Sequence, residues 1–301
     1  MSHKPVLLKE TLDCLGLKPG QTVIDGTLGS AGHASKILEV IGEKGRFIGL
    51  DQDPEAIDRC RRILSRWRHV SLHCENFKNL VQVLDDLNIS QVDAVIFDVG
   101  VSTEQLEDPI RGFSFDRTGP LDMRMNPEMP KSARDLVNDL SKDALEQIFW
   151  GYGNERWARR FAEAICRQRR RSRIETTDDL VRTLLEALPF RTARKVRRPG
   201  WARRHPATRV FQALRIAVND ELGALEAALP GIWDRLKPGG RLAVISYHSL
   251  EDRIVKVQFR SWCADGRARP ITKKPIVPTP SERRLNPRSR SAKLRVVEKI
   301  K

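Results

Sequence analysis

Short apolar runs alternate with helical patterns through the first hundred residues of the chain. Runs at residues 23–25, 46–50, 70–73 and 92–97 each suit a buried strand. Between the first two runs, apolar residues recur on one helical face over residues 34–41. Strands that alternate with helices predict a parallel sheet covered by helices on both faces. The pattern therefore places the chain in the α/β class.

The alternation stops after Gly100. Residues 101–130 contain several turn signals but no clear period, and residues from about 132 to 188 have an all-helical pattern. Ser132 and Ser141 precede helical runs in this stretch, and we expect them to be N-caps. We interpret the stretch as a helical insertion.

The strand pattern returns near the end of the chain. A run at 241–246 follows a Lys-Pro-Gly-Gly turn, and two extended runs follow around 276–277 and 294–297. Both ends of the chain are thus needed to complete one sheet. The predicted division is a discontinuous sheet domain at 1–105 and 206–301, with linker loops and the helical insertion at 106–205.

A glycine-rich loop follows the first strand. It covers residues 25–33 and contains Gly26, Gly29 and Gly32. Small residues here let backbone N–H groups approach a ligand at the positive end of the next helix. The spacing is GxxGxxG and differs from the GxGxxG dinucleotide fingerprint. Because such a loop also suits a plain tight turn, it needs support from other residues.

Three further side chains supply that support. Asp51 ends the second strand, where an acid can accept hydrogen bonds from both ribose hydroxyls of an adenosine. Phe77 follows the third strand and can pack on an adenine face, and Asp98 ends the fourth strand. Ligands of open α/β sheets bind at the carboxyl ends of the strands, where these residues fall. They predict a nucleoside-bearing cofactor, either a dinucleotide or S-adenosylmethionine.

Charge helps to decide between these cofactors. The chain has 54 Lys and Arg against 39 Asp and Glu, a formal net charge of +15. Such a balance favours a polyanionic partner, nucleic acid first and an anionic membrane surface second. A nucleic-acid substrate, the missing GxGxxG and the late extended runs together favour S-adenosylmethionine. A nicotinamide-dependent oxidoreductase is the alternative.

Cysteine usage and apolar runs bear on location. No apolar stretch reaches the roughly 18 residues that a membrane helix needs, and the N-terminus has no apolar signal-peptide core. The five cysteines are scattered without a CxxC motif, which argues against a disulfide framework and a zinc site. We expect a cytoplasmic protein without a bound metal.

Long blocks of this sequence resemble the RsmH (MraW) family, the bacterial 16S rRNA cytosine-N4 methyltransferases. The matching blocks run nearly end to end: HKPVLLKE at 3–10, DGTLG at 25–29, FDVGVS at 97–102, QL at 105–106, RGFSF at 111–115, GPLDMRM at 119–125, HPATR at 205–209, FQALRI at 211–216, SYHSLEDRIVK at 246–256 and NPRSRS at 286–291. The resemblance implies a Rossmann-like S-adenosylmethionine-dependent methyltransferase domain with an inserted all-helical domain. It also implies methyl transfer to the N4 amine of one decoding-centre cytosine of 16S rRNA (position 1402 in the usual rRNA numbering), within the small ribosomal subunit.

The resemblance also implies which residues contact the cofactor. Carried over position by position, they are Ala31, Gly32, His33, Asp51, Phe77, Asp98 and Gln105. Ser30 and Ala31 precede Gly32 where the family usually has a glycine pair before the histidine. Because alanine keeps the backbone nearly as open, we still expect cofactor binding.

Two residues are candidates for the chemistry itself. Methylation of a cytosine amine needs acceptors for its N–H groups as charge develops. Asp98 or a nearby backbone carbonyl can fill this role, and Asp98 can equally serve the cofactor alone. His248 follows a central strand and can orient the base, or it can be a helix-start histidine bonded to backbone. Phe113 and Phe115 can stack on a flipped base or pack in the core.

Three arginine-rich clusters are candidate contacts to RNA phosphates. The first consists of Arg167, Arg169, Arg170, Arg171 and Arg173; the second of Arg191, Arg194, Lys195, Arg197, Arg198, Arg203 and Arg204; the third of Arg283, Arg284, Arg288, Arg290, Lys293 and Arg295. One such run is usually a solvated face, but three in a strongly basic chain favour phosphate contact. The stretch 106–205 is therefore a candidate RNA-recognition domain. A non-catalytic rRNA-binding or assembly factor stays an alternative, and a homodimer stays open.

Overall fold

The computed structural model of the chain describes residues 5–189 and 205–301. The chain divides into two compact units, one of Met1–Gly100 with Leu222–Lys301 and one of Val101–Glu221. The boundaries differ from the division at 105 and 206 that the sequence suggests. The difference arises because the helix Pro206–Asn219 buries its apolar side chains in the core of the second unit.

The first unit contains a seven-stranded sheet in the order β3-β2-β1-β4-β5-β7-β6. Its strands are β1 Thr22–Asp25, β2 Arg46–Asp51, β3 Val70–Cys74, β4 Val92–Asp98, β5 Leu236–Ser246, β6 Ala268–Pro270 and β7 Lys293–Lys299. Neighbours among β1 to β5 pair in parallel, as the alternating pattern predicts. β7 runs antiparallel to both β5 and β6, so the late extended run at 294–297 is a strand of the same sheet.

Helices cover the first unit's sheet. They are α1 Leu8–Leu15, α2 Gly32–Ile41, α3 Pro54–Ile63, α4 Leu80–Asp86, α11 Glu221–Arg235, α12 Ser249–Ala264 and α13 Pro280–Leu285. Successive strand residues enter different apolar clusters: Val23 and Phe47 lie in one, Ile24 and Ile48 in the other. Because side chains alternate along a strand, the two clusters lie on opposite faces of the sheet. The parallel part of the sheet is therefore buried on both faces.

Two details of the sheet differ from the sequence prediction. The predicted turn at 237–240 lies inside β5, where the register against β4 shifts between Val92 and Ala94 and Gly239 takes a φ of +78°. The shift absorbs the Pro-Gly-Gly segment as an irregularity of the strand. The run at 276–277 makes only an isolated bridge from Ile276 to Leu294. β6 is too short to carry a recognisable apolar period.

The second unit is helical. Among its described residues the helices are α5 Thr103–Glu107, α6 Ala133–Asp139, α7 Lys142–Gly151, α8 Ala158–Arg169, α9 Thr177–Ala187 and α10 Pro206–Asn219. Ser132 and Ser141 cap α6 and α7, as the sequence predicts. No helix in the described ranges, in either unit, has the length and apolar character to cross a membrane.

Phe113 and Phe115 pack inside the second unit. Phe113 is buried in its apolar core, and the Phe115 ring stacks on His205 with centroids 4.9 Å apart. The Phe115 and Phe211 rings form a T-shaped pair with centroids 5.1 Å apart. These contacts agree with the packing interpretation of both rings. Base stacking by Phe115, whose ring is only partly buried, stays a prediction.

The turn at Gly112 requires glycine. Its φ is +67°, and a Cβ there would lie 2.2 Å from the Pro120 carbonyl oxygen. We expect Gly112→Ala to lower the free energy of unfolding by about 2 kcal/mol or more, because the left-handed conformation alone costs an alanine about 1–2 kcal/mol. Gly151→Ala is the matched control, since no atom lies within 4 Å of its added Cβ. Urea unfolding that gave equal losses for both variants would contradict this assignment.

Candidate active site

The glycine-rich loop joins β1 to α2 in the first unit. Gly26 is needed for packing, since a Cβ there would lie 2.3 Å from the Phe97 ring. Gly29 takes a φ of +51° and Ala31 one of +58°, both in the left-handed region. The N-cap residue of α2 is Ala31, whose side chain makes no capping hydrogen bond, and the helix begins at Gly32. First-turn N–H groups of a helix without such a cap can bind an anionic group.

Asp51 is held at the end of β2 by backbone donors. Its Oδ2 accepts the Gly29 N–H at 2.9 Å, and its Oδ1 accepts the Asp53 N–H at 2.9 Å. Each carboxylate oxygen can accept a second hydrogen bond, so the side chain can still bind two hydroxyl groups. Burial raises the pKa of Asp51 to about 6. The loop conformation and this acid therefore fix each other.

Asp25, at the end of β1, is almost fully buried. Its carboxylate accepts the Thr27 N–H at 3.0 Å. Burial raises its pKa to about 7, opposed by the Thr27 hydrogen bond and assisted by the charges of Asp98 and Asp51. The strand-end carboxyl groups thus lie close enough to affect one another's ionisation.

Asp98, at the end of β4, lies between two side chains from distant parts of the sequence. Its Oδ1 accepts a hydrogen bond from the Tyr247 hydroxyl at 2.8 Å, and its Oδ2 lies 3.7 Å from His33 Nδ1. Its own N–H donates to the Thr27 hydroxyl at 2.6 Å. His33 is itself fixed, because its Nε2 lies 3.1 Å from the Val6 carbonyl oxygen.

Phe77 begins a short 3-10 turn, Phe77–Asn79, after β3. Its ring centroid lies 5.2 Å from that of Phe97, and the side chain is only partly buried. An aromatic ring supported on one side and partly exposed can pack against a planar ligand.

His248 starts α12. Its Nδ1 accepts the Glu251 N–H at 3.4 Å, while Glu251 Oε2 accepts the N–H groups of His248 and Tyr247 at 3.1 and 2.7 Å. His248 Nε2 lies 2.9 Å from Glu251 Oε1, an ion-pair distance without hydrogen-bond geometry. The alternative of a helix-start histidine bonded to backbone is thus present in the structure. A catalytic role for His248 stays a prediction.

Six of the seven expected cofactor residues belong to the first unit: Ala31, Gly32, His33, Asp51, Phe77 and Asp98. Gln105 belongs to the second unit, where its Oε1 accepts the Ser102 N–H at 3.0 Å and closes a capping box. Sequence reasoning did not single out Asp25 as a site residue, nor Tyr247. Both had a usable signal, since each lies at the carboxyl end of a parallel strand.

The ionisation of Asp25 predicts a pH dependence. Because its folded-state pKa is raised to about 7, the folded protein keeps a proton that the unfolded chain releases above about pH 4. Asp25 therefore lowers the free energy of unfolding increasingly as the pH rises from about 4 to about 7. We expect Asp25→Asn, which still accepts the Thr27 N–H, to gain free energy of unfolding relative to the original chain between about pH 4.5 and about pH 7.5.

Urea unfolding at those two pH values measures the effect. Asp58→Asn is the control, since Asp58 is exposed and paired with Arg61 on α3. If the free energy of unfolding of Asp25→Asn changed with pH in the same way as that of the original chain, Asp25 would ionise normally.

Comparison with known proteins indicates the family to which this chain belongs. The family model of the MraW methylase family matches residues 1–300. A ribosomal RNA small subunit methyltransferase H of Geobacter sulfurreducens is 47% identical over 319 residues, covering 99% of each chain. Its counterpart in Halothermothrix orenii is 43% identical over 315 residues, covering 100% of this chain and 99% of the relative.

Solved structures resemble the chain more distantly. An rRNA methylase from Streptococcus thermophilus is 14% identical with a TM-score of 0.44, covering 100% of this chain and 99% of that one. Aeropyrum pernix fibrillarin, solved with S-adenosyl-L-methionine, is 12% identical with a TM-score of 0.40, covering 95% of this chain and 74% of that one. The assignment rests on the sequence matches, which span the whole chain: this protein belongs to the MraW methylase family.

Proposed function

We propose that this protein transfers a methyl group from S-adenosylmethionine to the exocyclic N4 amine of a decoding-centre cytosine in 16S rRNA. The observation that carries the proposal is Asp51, held at the end of β2 by the glycine-rich loop of a methylase-family chain. The substrate class agrees with the names of the relatives, which are ribosomal RNA small subunit methyltransferases. The small ribosomal subunit as the assembled substrate, a cytoplasmic location and a homodimer belong to the same proposal.

The residues of the first unit fit the cofactor. Asp51 has acceptor capacity for the two ribose hydroxyls, and Phe77 offers a partly exposed ring for the adenine. The start of α2, where the N-cap residue is an alanine, suits the cofactor's carboxylate. When bound, S-adenosylmethionine supplies a methyl group on a positively charged sulfonium. The carboxyl groups of Asp25 and Asp98 favour a cation at this edge of the sheet.

Asp98 is the residue that we propose to meet the reacting amine. The lone pair of a cytosine amine is delocalised into the ring, so the amine needs alignment and acceptors for its N–H groups. A carboxylate at the end of β4 supplies such an acceptor. The competing possibility, in which Asp98 serves only the cofactor, predicts weaker cofactor binding in Asp98 variants without a separate loss of rate at saturating cofactor.

Basic residues of the second unit support RNA binding. In the first arginine cluster, Arg169 donates to the Val137 carbonyl at 2.8 Å and Arg173 lies within ion-pair distance of Asp139. Arg167 and Arg170 are exposed, and with Lys142 and Glu163 they line a cavity of about 330 Å³. The Glu163 carboxylate lies 3.1 Å from Arg159 Nε. Basic side chains that outnumber the carboxylates beside them can bind phosphates.

The third cluster differs from the first. Lys293 and Arg295, in the third cluster, both pair with Asp252, at 2.9 and 2.7 Å. These two basic groups therefore tie β7 to α12 and contribute less to RNA binding than their charge suggests. The second cluster, at 191–204, lies outside the described residues.

Methyl transfer is tested directly with labelled S-adenosylmethionine. Purified 16S rRNA and small ribosomal subunits are incubated with the protein, digested to nucleosides and analysed by mass spectrometry. We expect N4-methylcytidine with at least one of the two substrates. Absence of label in cytosine from both would refute the proposal and favour a non-catalytic rRNA-binding factor. Nothing in the structure or the comparisons favours the oxidoreductase alternative.

Substitution of Asp51 tests the cofactor site. Asp51→Ala would also remove the acceptor for two backbone N–H groups, so Asp51→Asn is the sharper change. We expect the Kd for S-adenosylhomocysteine to rise about tenfold or more, because a hydrogen bond to a charged group is worth about 1.5–3 kcal/mol. Isothermal calorimetry measures the change, with Asp58→Asn as the control. An unchanged Kd would show that Asp51 does not bind the ribose.

Salt dependence tests the first arginine cluster. We expect Arg167→Gln combined with Arg170→Gln to weaken RNA binding and to reduce the slope of log affinity against log salt. The reduction is about 0.7–0.9 for each lost phosphate contact. Arg182→Gln on α9, whose side chain is paired with Asp179, is the control. Equal slopes for the double variant and the control would exclude a role for this cluster.

A further inference from the structure

The hydrogen bond between Tyr247 and Asp98 joins the ends of two neighbouring strands. β4 and β5 pair in parallel with Asp98 opposite Ile245, and Tyr247 follows the end of β5. The Tyr247 hydroxyl donates to Asp98 Oδ1 at 2.8 Å. The tyrosine therefore reaches across the strand end to the carboxylate proposed to meet the amine.

Tyr247 is itself held firmly in place. The buried Glu251 carboxylate accepts the Tyr247 N–H at 2.7 Å, which fixes the backbone where β5 ends. The ring lies against Gly100, where an added Cβ would be 3.4 Å from Tyr247 Cδ2. A ring fixed at its backbone and along one edge directs its hydroxyl in one direction.

The chemistry of the two groups sets the direction of the hydrogen bond. Burial and the Asp98 charge raise the pKa of Tyr247 well above its usual value, so the phenol keeps its proton. A protonated phenol beside a carboxylate acts as the donor, and hydrogen bonds to charged acceptors are among the stronger ones in proteins. The contact therefore resists rotation of the Asp98 carboxylate about its Cβ–Cγ bond.

We propose that Tyr247 is a positioning residue for the methyl-transfer reaction, acting by fixing the orientation of the Asp98 carboxylate. With Oδ1 bound to the Tyr247 hydroxyl, the direction of Oδ2 is set, on the side where His33 Nδ1 lies 3.7 Å away. Small misplacements of a group that must align with a reacting atom cost large factors in rate. This inference rests on the proposed function, because it assigns Tyr247 a role through Asp98.

Tyr247→Phe removes only the hydroxyl. We expect it to lower the single-turnover rate of methyl transfer about tenfold at saturating cofactor and RNA. Tyr152→Phe is the matched control, because Tyr152 is the only other tyrosine of the chain and lies at the end of α7 in the second unit. A rate for Tyr247→Phe equal to that of Tyr152→Phe would overturn the proposal.

A double-mutant cycle tests whether Tyr247 acts through Asp98. In an Asp98→Ala background, adding Tyr247→Phe should cause no further loss of rate or of S-adenosylhomocysteine affinity. If methyl transfer by Asp98→Ala is too slow to measure, the same four proteins are compared by the urea concentration at the midpoint of unfolding. There, Tyr247→Phe should lower the midpoint of the original chain more than that of Asp98→Ala. Equal effects in both backgrounds would overturn the proposal.

Cytosine labelling tests the proposed function, and the unfolding cycle tests the role of Tyr247 separately. If the unsubstituted chain labels no cytosine, the proposed function fails whatever the cycle shows. If it labels cytosine but the unfolding cycle shows no coupling between the two side chains, only the role of Tyr247 fails.

Discussion

Three carboxyl groups end three adjacent strands, and the site depends on how their mutual repulsion is managed. Asp51, Asp25 and Asp98 close β2, β1 and β4, which lie side by side in the sheet. Burial makes ionisation of such groups costly, and each like charge nearby raises the cost. Backbone N–H groups of the glycine-rich loop, together with the Tyr247 hydroxyl, offset that cost. A cationic ligand at this edge would offset it further, which is why the arrangement suits a sulfonium cofactor.

The sequence predicts this edge because parallel strands obey a simple rule. Apolar runs that alternate with helices predict parallel strands. An acid directly after such a run then lies at the carboxyl end of its strand, at the same edge of the sheet as the others. Asp51 and Asp98 follow from that rule alone. The contact between Asp98 and Tyr247 does not, since it joins residues 149 positions apart and depends on β5 lying beside β4. The antiparallel β7 and the short β6 likewise depend on tertiary pairing that local apolar patterns do not encode.

Charge counting alone could not distinguish the arginines. The sequence shows clusters of equal appearance, yet Arg295 is paired with Asp252, whereas Arg167 and Arg170 are exposed at a cavity of the second unit. His248 shows a related limit, because a histidine after a strand is equally suited to orienting a base and to capping a helix. The role of each of these arginine and histidine side chains depends on the side chains that surround it, and most of those are distant in the sequence.

The discontinuous sheet unit has a consequence for how the chain is made. β4 is complete at residue 98, but its partner β5 begins only at residue 236, after the whole second unit has been synthesised. A ribosome-bound chain therefore exposes the unpaired edge of β4 while the contiguous helical unit can already fold. Exposed strand edges are templates for association with other chains. Rapid folding of the insertion, or protection by a chaperone, would shorten the time during which that edge can aggregate.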